Sequence, residues 1–267
     1  MVKMSFVILT WNSEKTIDQC LRGIAEKCAA ENIPYEVLIV DNGSRDQTLD
    51  IIEKHSGHMP IVLLCLERNR GTTCTRNMAL KQSTGDILCV LDSDTLFMDG
   101  SLRELVQELE SDQSIGILAP RLIEASGKVQ PSVKRFPSIP GKLSRIPKIV
   151  FKLPFRDYDT YPDFPFTDMT EVDCAISACW FFRRDLLDVA GFLDERIFYA
   201  PEDVDYCLNV RKKGKKVLYY PRFTVMHRTQ QITHKNFLSR IAFSHLWGLA
   251  YYFIKHRYVM KPDIDRT

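Results

Sequence analysis

The chain has 267 residues, with 45% hydrophobic and 26% charged residues and a formal net charge of +2. Those values exclude wholesale disorder, a collagen-like repeat and a polytopic membrane protein, and the length suffices for one large α/β domain or two small ones. Eight Cys without a Cys-x-x-Cys pair are too sparse for a disulfide scaffold and read as reduced thiols, most of them core filler.

In chain order, Ser5–Leu9 is a predicted buried strand, with no signal-peptide h-region before it. Ser13–Cys28 follows with apolar residues at helical spacing: Ile17, Leu21, Ile24, Ala25 and Cys28. Tyr35–Val40 is a strand ending in Asp41-Asn42-Gly43-Ser44, and Thr48–His55 a helix. Ile61–Leu66 and Asp86–Leu91 are strands on either side of a helix over Thr73–Lys81. Ser101–Glu110 is a further helix and Ile115–Ala119 a fifth strand. Such alternation predicts a mostly parallel sheet with helices on both faces. Ligands bind beyond the carboxyl ends of the strands in such sheets. The polar clusters Thr10-Trp11-Asn12, Asp41–Ser44, Arg68–Gly71 and Asp92–Asp94 all fall at those ends.

Pro131 to Pro165 holds seven of the thirteen prolines and reads as a long irregular excursion of the kind that forms lids or binding loops. Regular structure is expected to resume in an apolar run, Val172–Phe182, followed by a short helix over Arg184–Val189. Glu202–Lys213 is a helix with acidic residues in its first turn and Gly214 past its end. Lys216–Tyr220 is a strand and Phe237–Ile254 a long helical candidate. From Leu208 onward there are 13 Lys/Arg and 2 Asp/Glu, a balance of +11, against −9 for the preceding residues. A basic tail on an acidic body suits an anionic partner, and no nucleic-acid motif accompanies the charge. The apolar middle of the last helix, about 14 residues, is short of the ~20 that cross a bilayer. It suits an interfacial position, packing on the catalytic domain, or a second subunit.

Two carboxylates one residue apart at a strand end, Asp92 and Asp94, can face a hard divalent cation that also holds substrate phosphates. Glu202-Asp203 at a helix start offers a carboxylate able to take a proton from a hydroxyl.

Six segments carry a resemblance: Val7-Ile8-Leu9-Thr10-Trp11-Asn12, Val40-Asp41-Asn42-Gly43-Ser44-Arg45-Asp46, Asn69-Arg70-Gly71, Leu91-Asp92-Ser93-Asp94, Gly191-Phe192-Leu193-Asp194-Glu195 and Glu202-Asp203-Val204-Asp205-Tyr206-Cys207-Leu208. His227 follows Tyr219-Tyr220-Pro221. Their order over residues 5 to 228 resembles a family 2 inverting glycosyltransferase of GT-A fold, its bacterial rhamnosyltransferase-like branch in particular. The resemblance implies an α/β GT-A domain over 1–230, with a nucleotide-binding half over about 1–120 and an acceptor half over about 121–230. A C-terminal helical extension over 231–267 follows.

The resemblance also implies roles. Thr10 and Asn12 line the base and ribose of a nucleotide-sugar. Asp41 hydrogen-bonds a uracil- or thymine-type base, and Asn42 and Ser44 shape that pocket. Arg76 either contacts the nucleotide or pairs with a surface carboxylate. Asp94 ligates a divalent metal, Mn or Mg. Asp92 approaches the ribose or a metal-bound water, and His227 adds an imidazole to the metal. Asp203 is the general base and Glu202 a supporting acceptor contact, while Asp205 is structural. Asp173 touches the sugar, and Trp180 belongs to the core. The family commonly has an aromatic where Cys174 stands and Gly where Ser177 stands, so the sugar is not decoded.

The expected activity is transfer of a sugar, rhamnose being one candidate, from a dTDP- or UDP-linked donor to a surface-glycan or lipid-linked acceptor. The expected location is cytoplasmic, with peripheral contact at the inner face of the membrane through the C-terminal segment, or self-association through it. A sugar nucleotidyltransferase would need a Gly-rich loop after the first strand, and Thr10-Trp11-Asn12-Ser13 has no glycine. A non-catalytic nucleotide-sugar-binding module would be expected to lack one of Asp92, Asp94 or Asp203, and all three are present.

Overall fold

The computed structural model describes residues 3–144, 159–161, 164–228 and 240–264. Its main sheet runs β3-β2-β1-β4-β10-β6-β11-β5, with β8 added against β11. The first four strands are β1 (Met4–Thr10), β2 (Tyr35–Asp41), β3 (Ile61–Cys65) and β4 (Ile87–Asp92). β1 pairs in parallel with β2 on one side and β4 on the other, and β2 in parallel with β3. The chain therefore moves outward from β1 to β3 and then returns to β1's other edge. Such a reversal opens a crevice at the carboxyl ends of the strands.

Side-chain alternation explains why both faces are covered. Phe6, Ile8, Val37, Ile39, Cys89 and Leu91 join one apolar cluster, with Ile17, Leu21 and Ile24 of α1 (Ile17–Ala30) and Ile52 of α2 (Thr48–Ser56). Val7, Leu38, Val40, Leu88 and Val90 join the other, with Ala79 and Leu80 of α3 (Thr72–Gln82). Strands buried on both faces read as continuous apolar runs, which is how they look in the sequence. α4 (Leu102–Ser111) begins at Ser101, whose hydroxyl accepts the Glu104 N–H.

Several boundaries differ from expectation. α1 starts at Ile17, because the Ser13 carbonyl takes the Thr16 and Ile17 amides in a turn first. The apolar run Val172–Phe182 is shared among three strands: β8 (Thr170–Val172), β9 (Cys174–Ala175) and β10 (Cys179–Arg183). β8 pairs with β11, β9 with β7 (Val133–Lys134), and β10 lies antiparallel between β4 and β6 (Ile115–Ile123). The chain changes partner at Asp173 and again around Ser177, two polar residues whose side chains bond elsewhere. Three residues not foreseen, β5 (Thr95–Phe97), pair with the end of β11 (Lys216–His227). β11 thus continues past Pro221 through a register shift between Tyr220 and Thr224, and carries His227 to the strand end.

The 131–165 excursion holds β7 and α5 (Ile139–Leu143); its residues 145–158, 162 and 163 lie outside the described set. α6 (Leu186–Ala190) and α7 (Glu202–Lys212) follow close to expectation. The expected last helix is α8 (Arg240–His256), and Phe237 and its next two residues lie outside the described set. α8 is docked on the domain by charge: Lys255 Nζ sits 2.7 Å from Asp205 and 2.9 Å from Asp194, and His256 Nε2 2.8 Å from Asp205. Part of the tail's positive charge is therefore consumed internally. Among the described residues, no helix is long and apolar enough to cross a membrane.

Candidate active site

Three strand ends bring the amino-terminal clusters together. After β1, Thr10 Oγ1 donates to Asp41 Oδ1 at 2.9 Å. After β2, the Ser44 hydroxyl donates to the same oxygen at 2.5 Å and the Ser44 amide to Asp41 Oδ2 at 2.8 Å. Asp41 is buried and held entirely by neutral donors. Asn12 adopts a left-handed φ of 52°, and its amide N–H donates to Ser44 Oγ at 2.8 Å. Asn42, also buried, accepts the Arg70 amide at 2.7 Å and donates to Asn69 Oδ1 at 3.0 Å. It is a latch for the Asn69-Arg70-Gly71 turn. Gly71 has φ 87°, and a Cβ there would collide with the Phe198 carbonyl. Ser13 and Ser93 share a 2.8 Å hydrogen bond that ties the first cluster to the β4 end.

At the β4 end, Asp92, Asp94 and His227 offer ligand atoms that all lie within 4.8 Å of one another. His227 Nε2 is 3.4 Å from Asp94 and 3.9 Å from Asp92. Its Nδ1–H donates to Gln130 Oε1 at 3.0 Å, which leaves the Nε2 lone pair facing the two acids. Burial works against the imidazolium, but Asp94 and Asp92 outweigh it and raise the His227 pKa. Two carboxylates and an imidazole with an oriented second nitrogen form a donor set that suits Mn²⁺ or Mg²⁺.

Of the two roles expected for Arg76, the structure shows a carboxylate pairing, made from a buried position (2% exposed) to the partly exposed Asp92 at the strand end. Its Nη2 lies 2.5 Å from Asp92 Oδ1, and its Nη1 2.7 Å from Ser177 Oγ and 3.4 Å from Glu202 Oε1. The Ser177 hydroxyl donates to Glu202 Oε1 at 3.0 Å. One guanidinium thus joins the end of β4 to the start of α7. Desolvation raises the pKa of Asp92, against the pull of Arg76. Burial, and the neighbouring Asp203 next, push Glu202 up to about 8, against Arg76. Glu202 is buried behind Ser177, which does not fit an acceptor contact.

Asp203 is half-buried; its carboxylate accepts the Val204 amide at 2.8 Å and pairs with no cation among the described residues. Asp205, 1% exposed, is the structural acid expected, with Lys255 and His256 as counter-charges. Asp173 accepts the Phe136 amide at 2.9 Å, and its own amide donates to the Tyr161 hydroxyl at 3.1 Å. The structure ties it to the irregular excursion rather than to the Arg76 network. Trp180 is core, stacked on Tyr206 with ring centroids 5.9 Å apart.

Four residues of the site were not foreseen in these positions. Gln130 orients His227, and Ser177 bridges Arg76 and Glu202. Burial, then Glu202 and Asp92, push the Tyr199 hydroxyl up to about 12. Burial and Lys142 lower the pKa of His245 on α8, while nearby Asp203 opposes them. A surface cavity of about 550 Å³ lined by Asp18, Arg22, Ile51, Lys54, His55 and His58 shares no residue with this group.

Residues 5–191 match the family described as Glycosyl transferase family 2. The chain belongs to that family. It is 34% identical over 115 residues to the poly(ribitol-phosphate) beta-N-acetylglucosaminyltransferase TarS of Staphylococcus aureus, a match covering 43% of this chain and 20% of TarS. It is 26% identical over 239 residues to the N-acetylglucosaminyl-diphospho-decaprenol L-rhamnosyltransferase of Mycobacterium tuberculosis, covering 84% of this chain and 76% of that relative. The chain thus spans only a fifth of the length of TarS. Among solved structures, it superposes on GalNAc-T7 with UDP, GalNAc and Mn²⁺ at a TM-score of 0.71 and 15% identity, covering 95% of this chain and 48% of that one. The fold is that of the GT-A glycosyltransferases: a mixed, mostly parallel sheet flanked by helices.

Proposed function

We propose that this family 2 member is a metal-assisted, inverting glycosyltransferase that takes its sugar from a UDP- or dTDP-linked donor. The carrying observation is the convergence of Asp92, Asp94 and His227 at one strand end, joined through Arg76 to the Glu202-Asp203 helix start. In this reading residues 1–120 hold the nucleotide, with Asp41 accepting from the base N3–H and Thr10, Asn12 and Ser44 fixing its carboxylate. Residues 121–230 hold the acceptor, and 231–267 form the helical extension.

A divalent cation held by Asp94, Asp92 and His227 would offset the charge that grows on the departing diphosphate. The rest of the step belongs to side chains. The acceptor hydroxyl oxygen attacks the anomeric carbon as the carbon–oxygen bond to the diphosphate breaks on the opposite face. Asp203 takes the hydroxyl proton, and the nucleoside diphosphate leaves; the configuration inverts. A base must be ionised and reachable. Asp203 is half-buried and, among the described residues, pairs with no Lys or Arg, whereas Glu202 is buried with a raised pKa. Of the two acids, Asp203 therefore fits the base, and Glu202 fits a support that keeps Arg76 and Ser177 in place.

The acceptor is proposed to be a hydroxyl of a growing surface glycan, on a lipid carrier, at the inner face of the cytoplasmic membrane. Support comes from the M. tuberculosis relative, whose name specifies a diphospho-decaprenol acceptor, and from the basic tail. Rhamnose is the sugar to test first on the same ground.

The deciding experiment is calorimetry of UDP, dTDP, GDP and CDP with and without Mn²⁺. Metal-dependent binding of UDP or dTDP, lost in Asp94→Ala, is expected. Binding that ignores both the metal and Asp94 would overturn the donor-site assignment.

A further inference from the structure

The outer face of α8 is apolar and unpaired. Leu246 is 66% exposed, Trp247 63% and Ile254 71%, and the turn that follows adds Val259 at 56% and Met260 at 64%. Leu246, Ala250, Ile254 and Arg257 recur at intervals of four, four and three, so they share one helix face. The opposite face is anchored: Lys255 and His256 pair with Asp205, Tyr251 donates to Asp194 at 2.9 Å, and a Cβ on Gly248 would collide with the Ala200 carbonyl. Apolar residues therefore point outward on a helix whose inner face is already occupied, by the buried Tyr252 as well as by the ion pairs.

Charge chooses the occupant. Between Asp205 and Asp263 there is no acidic residue and there are twelve Lys or Arg. Arg257 and Lys261 are exposed beside the apolar residues. A twofold dimer through this face would set the patch against itself, basic against basic, with no acid in the interval to offset it. An anionic bilayer complements both features, because apolar side chains enter the acyl boundary while Lys and Arg meet the phosphates. Among the described residues no helix is long and apolar enough to cross a bilayer, and a tryptophan on the outer face suits the headgroup region.

We infer that α8 and the turn after it form an interfacial surface that lays the protein on an anionic phospholipid bilayer. The surface includes Leu246, Trp247, Ile254, Val259 and Met260, rimmed by Arg257 and Lys261. It gives the lipid-carried acceptor of the proposed function a physical route to the site, and it rests on that reading for its purpose. Gly248 abuts Ala200, two residues before Glu202. A docked α8 therefore holds the start of α7 close to the headgroups, where the first sugar of a lipid carrier lies.

The test is flotation of the full chain with phosphatidylcholine vesicles, with and without phosphatidylglycerol, at low and high salt. Binding to the anionic vesicles only, weakened by salt, is expected. A Leu246→Gln/Trp247→Gln/Ile254→Gln variant and an Arg257→Glu/Lys261→Glu variant should each bind about tenfold more weakly or worse. Their helix content and UDP affinity should match the parent, since none of these residues lines the donor site. Brominated lipid should quench Trp247 fluorescence in the parent. Failure of the parent to float, or equal flotation of both variants, overturns the proposal. So does a dimer in light scattering that the triple variant breaks apart without any vesicle binding by the parent, which would assign the face to a second copy. Vesicle binding together with absent UDP binding would leave this surface standing and remove the donor assignment instead.

Discussion

Two carboxylate sites, at the ends of the strands that flank β1, are built on opposite principles. Asp41, at the end of β2, receives two hydroxyls and one amide and, among the described residues, no cation. Asp92, after β4, shares a buried guanidinium with Glu202. Neutral donors orient an anion while leaving its charge for a ligand. A shared guanidinium balances charge, and it couples two elements that lie 110 residues apart in sequence, from Asp92 to Glu202. The first arrangement is a local device for recognition; the second is a long-range brace for the reacting centre.

The comparison breaks most visibly at the reacting centre. Asp203→Asn should lower turnover by roughly 10²–10⁴-fold, the usual worth of a general base, while donor affinity stays unchanged by calorimetry. Comparable turnover would move the base elsewhere. Arg76→Met should cost about 3–5 kcal/mol in urea unfolding, because it takes the cation from Asp92 and a donor from Ser177 and Glu202. Arg76→Lys should recover part of the stability but less of the activity, since an ammonium cannot bridge Asp92, Ser177 and Glu202 as a fork does. A fully active Arg76→Met would show that the brace is dispensable.

Glu202→Gln sharpens the contrast through pH. The folded pKa of Glu202 is raised, to about 8 from an ordinary value near 4.5. The folded state then holds a proton that the unfolded state releases, so this group's contribution to stability is present below pH 4.5 and lost as pH rises toward 8. Stability curves across that window should slope downward in the parent and flatten in Glu202→Gln. Parallel slopes would mean that Glu202 is ionised in the fold. The smallest effect is expected at the recognition side: Thr10→Val should remove one hydrogen bond to Asp41 and weaken UDP or dTDP binding by about 1 kcal/mol without changing the unfolding midpoint's pH dependence.

Much of this site was legible in sequence because strand ends and helix starts announce themselves. Asp92-Ser93-Asp94 follows an apolar run, and Glu202-Asp203 opens a helix with acids in its first turn. His227 was readable only by resemblance, since Pro221 hides the continuation of β11 that delivers it. Arg76 was named, but not its partners. Its partners stand 16, 101 and 126 positions away, and no local pattern encodes such distances. Gln130 lies 97 positions from His227 and escaped for the same reason. The Val172–Phe182 run is mostly apolar, and its division among β8, β9 and β10 is decided by partners that its two polar residues, Asp173 and Ser177, find outside it.

Asp205 stands two residues after the proposed base, and its counter-charges are Lys255 and His256. During synthesis on the ribosome, α7 emerges some fifty residues before them. Until they arrive, α7 carries three acids in its first turn, and Asp205 cannot be sealed into the core as a bare anion. The base-bearing helix therefore acquires its final setting late in translation. A nascent chain arrested before residue 255 should hold a proteolytically soft α7 beneath an already formed β1–β4 sheet, so the half proposed to hold the nucleotide would mature ahead of the half proposed to do the chemistry.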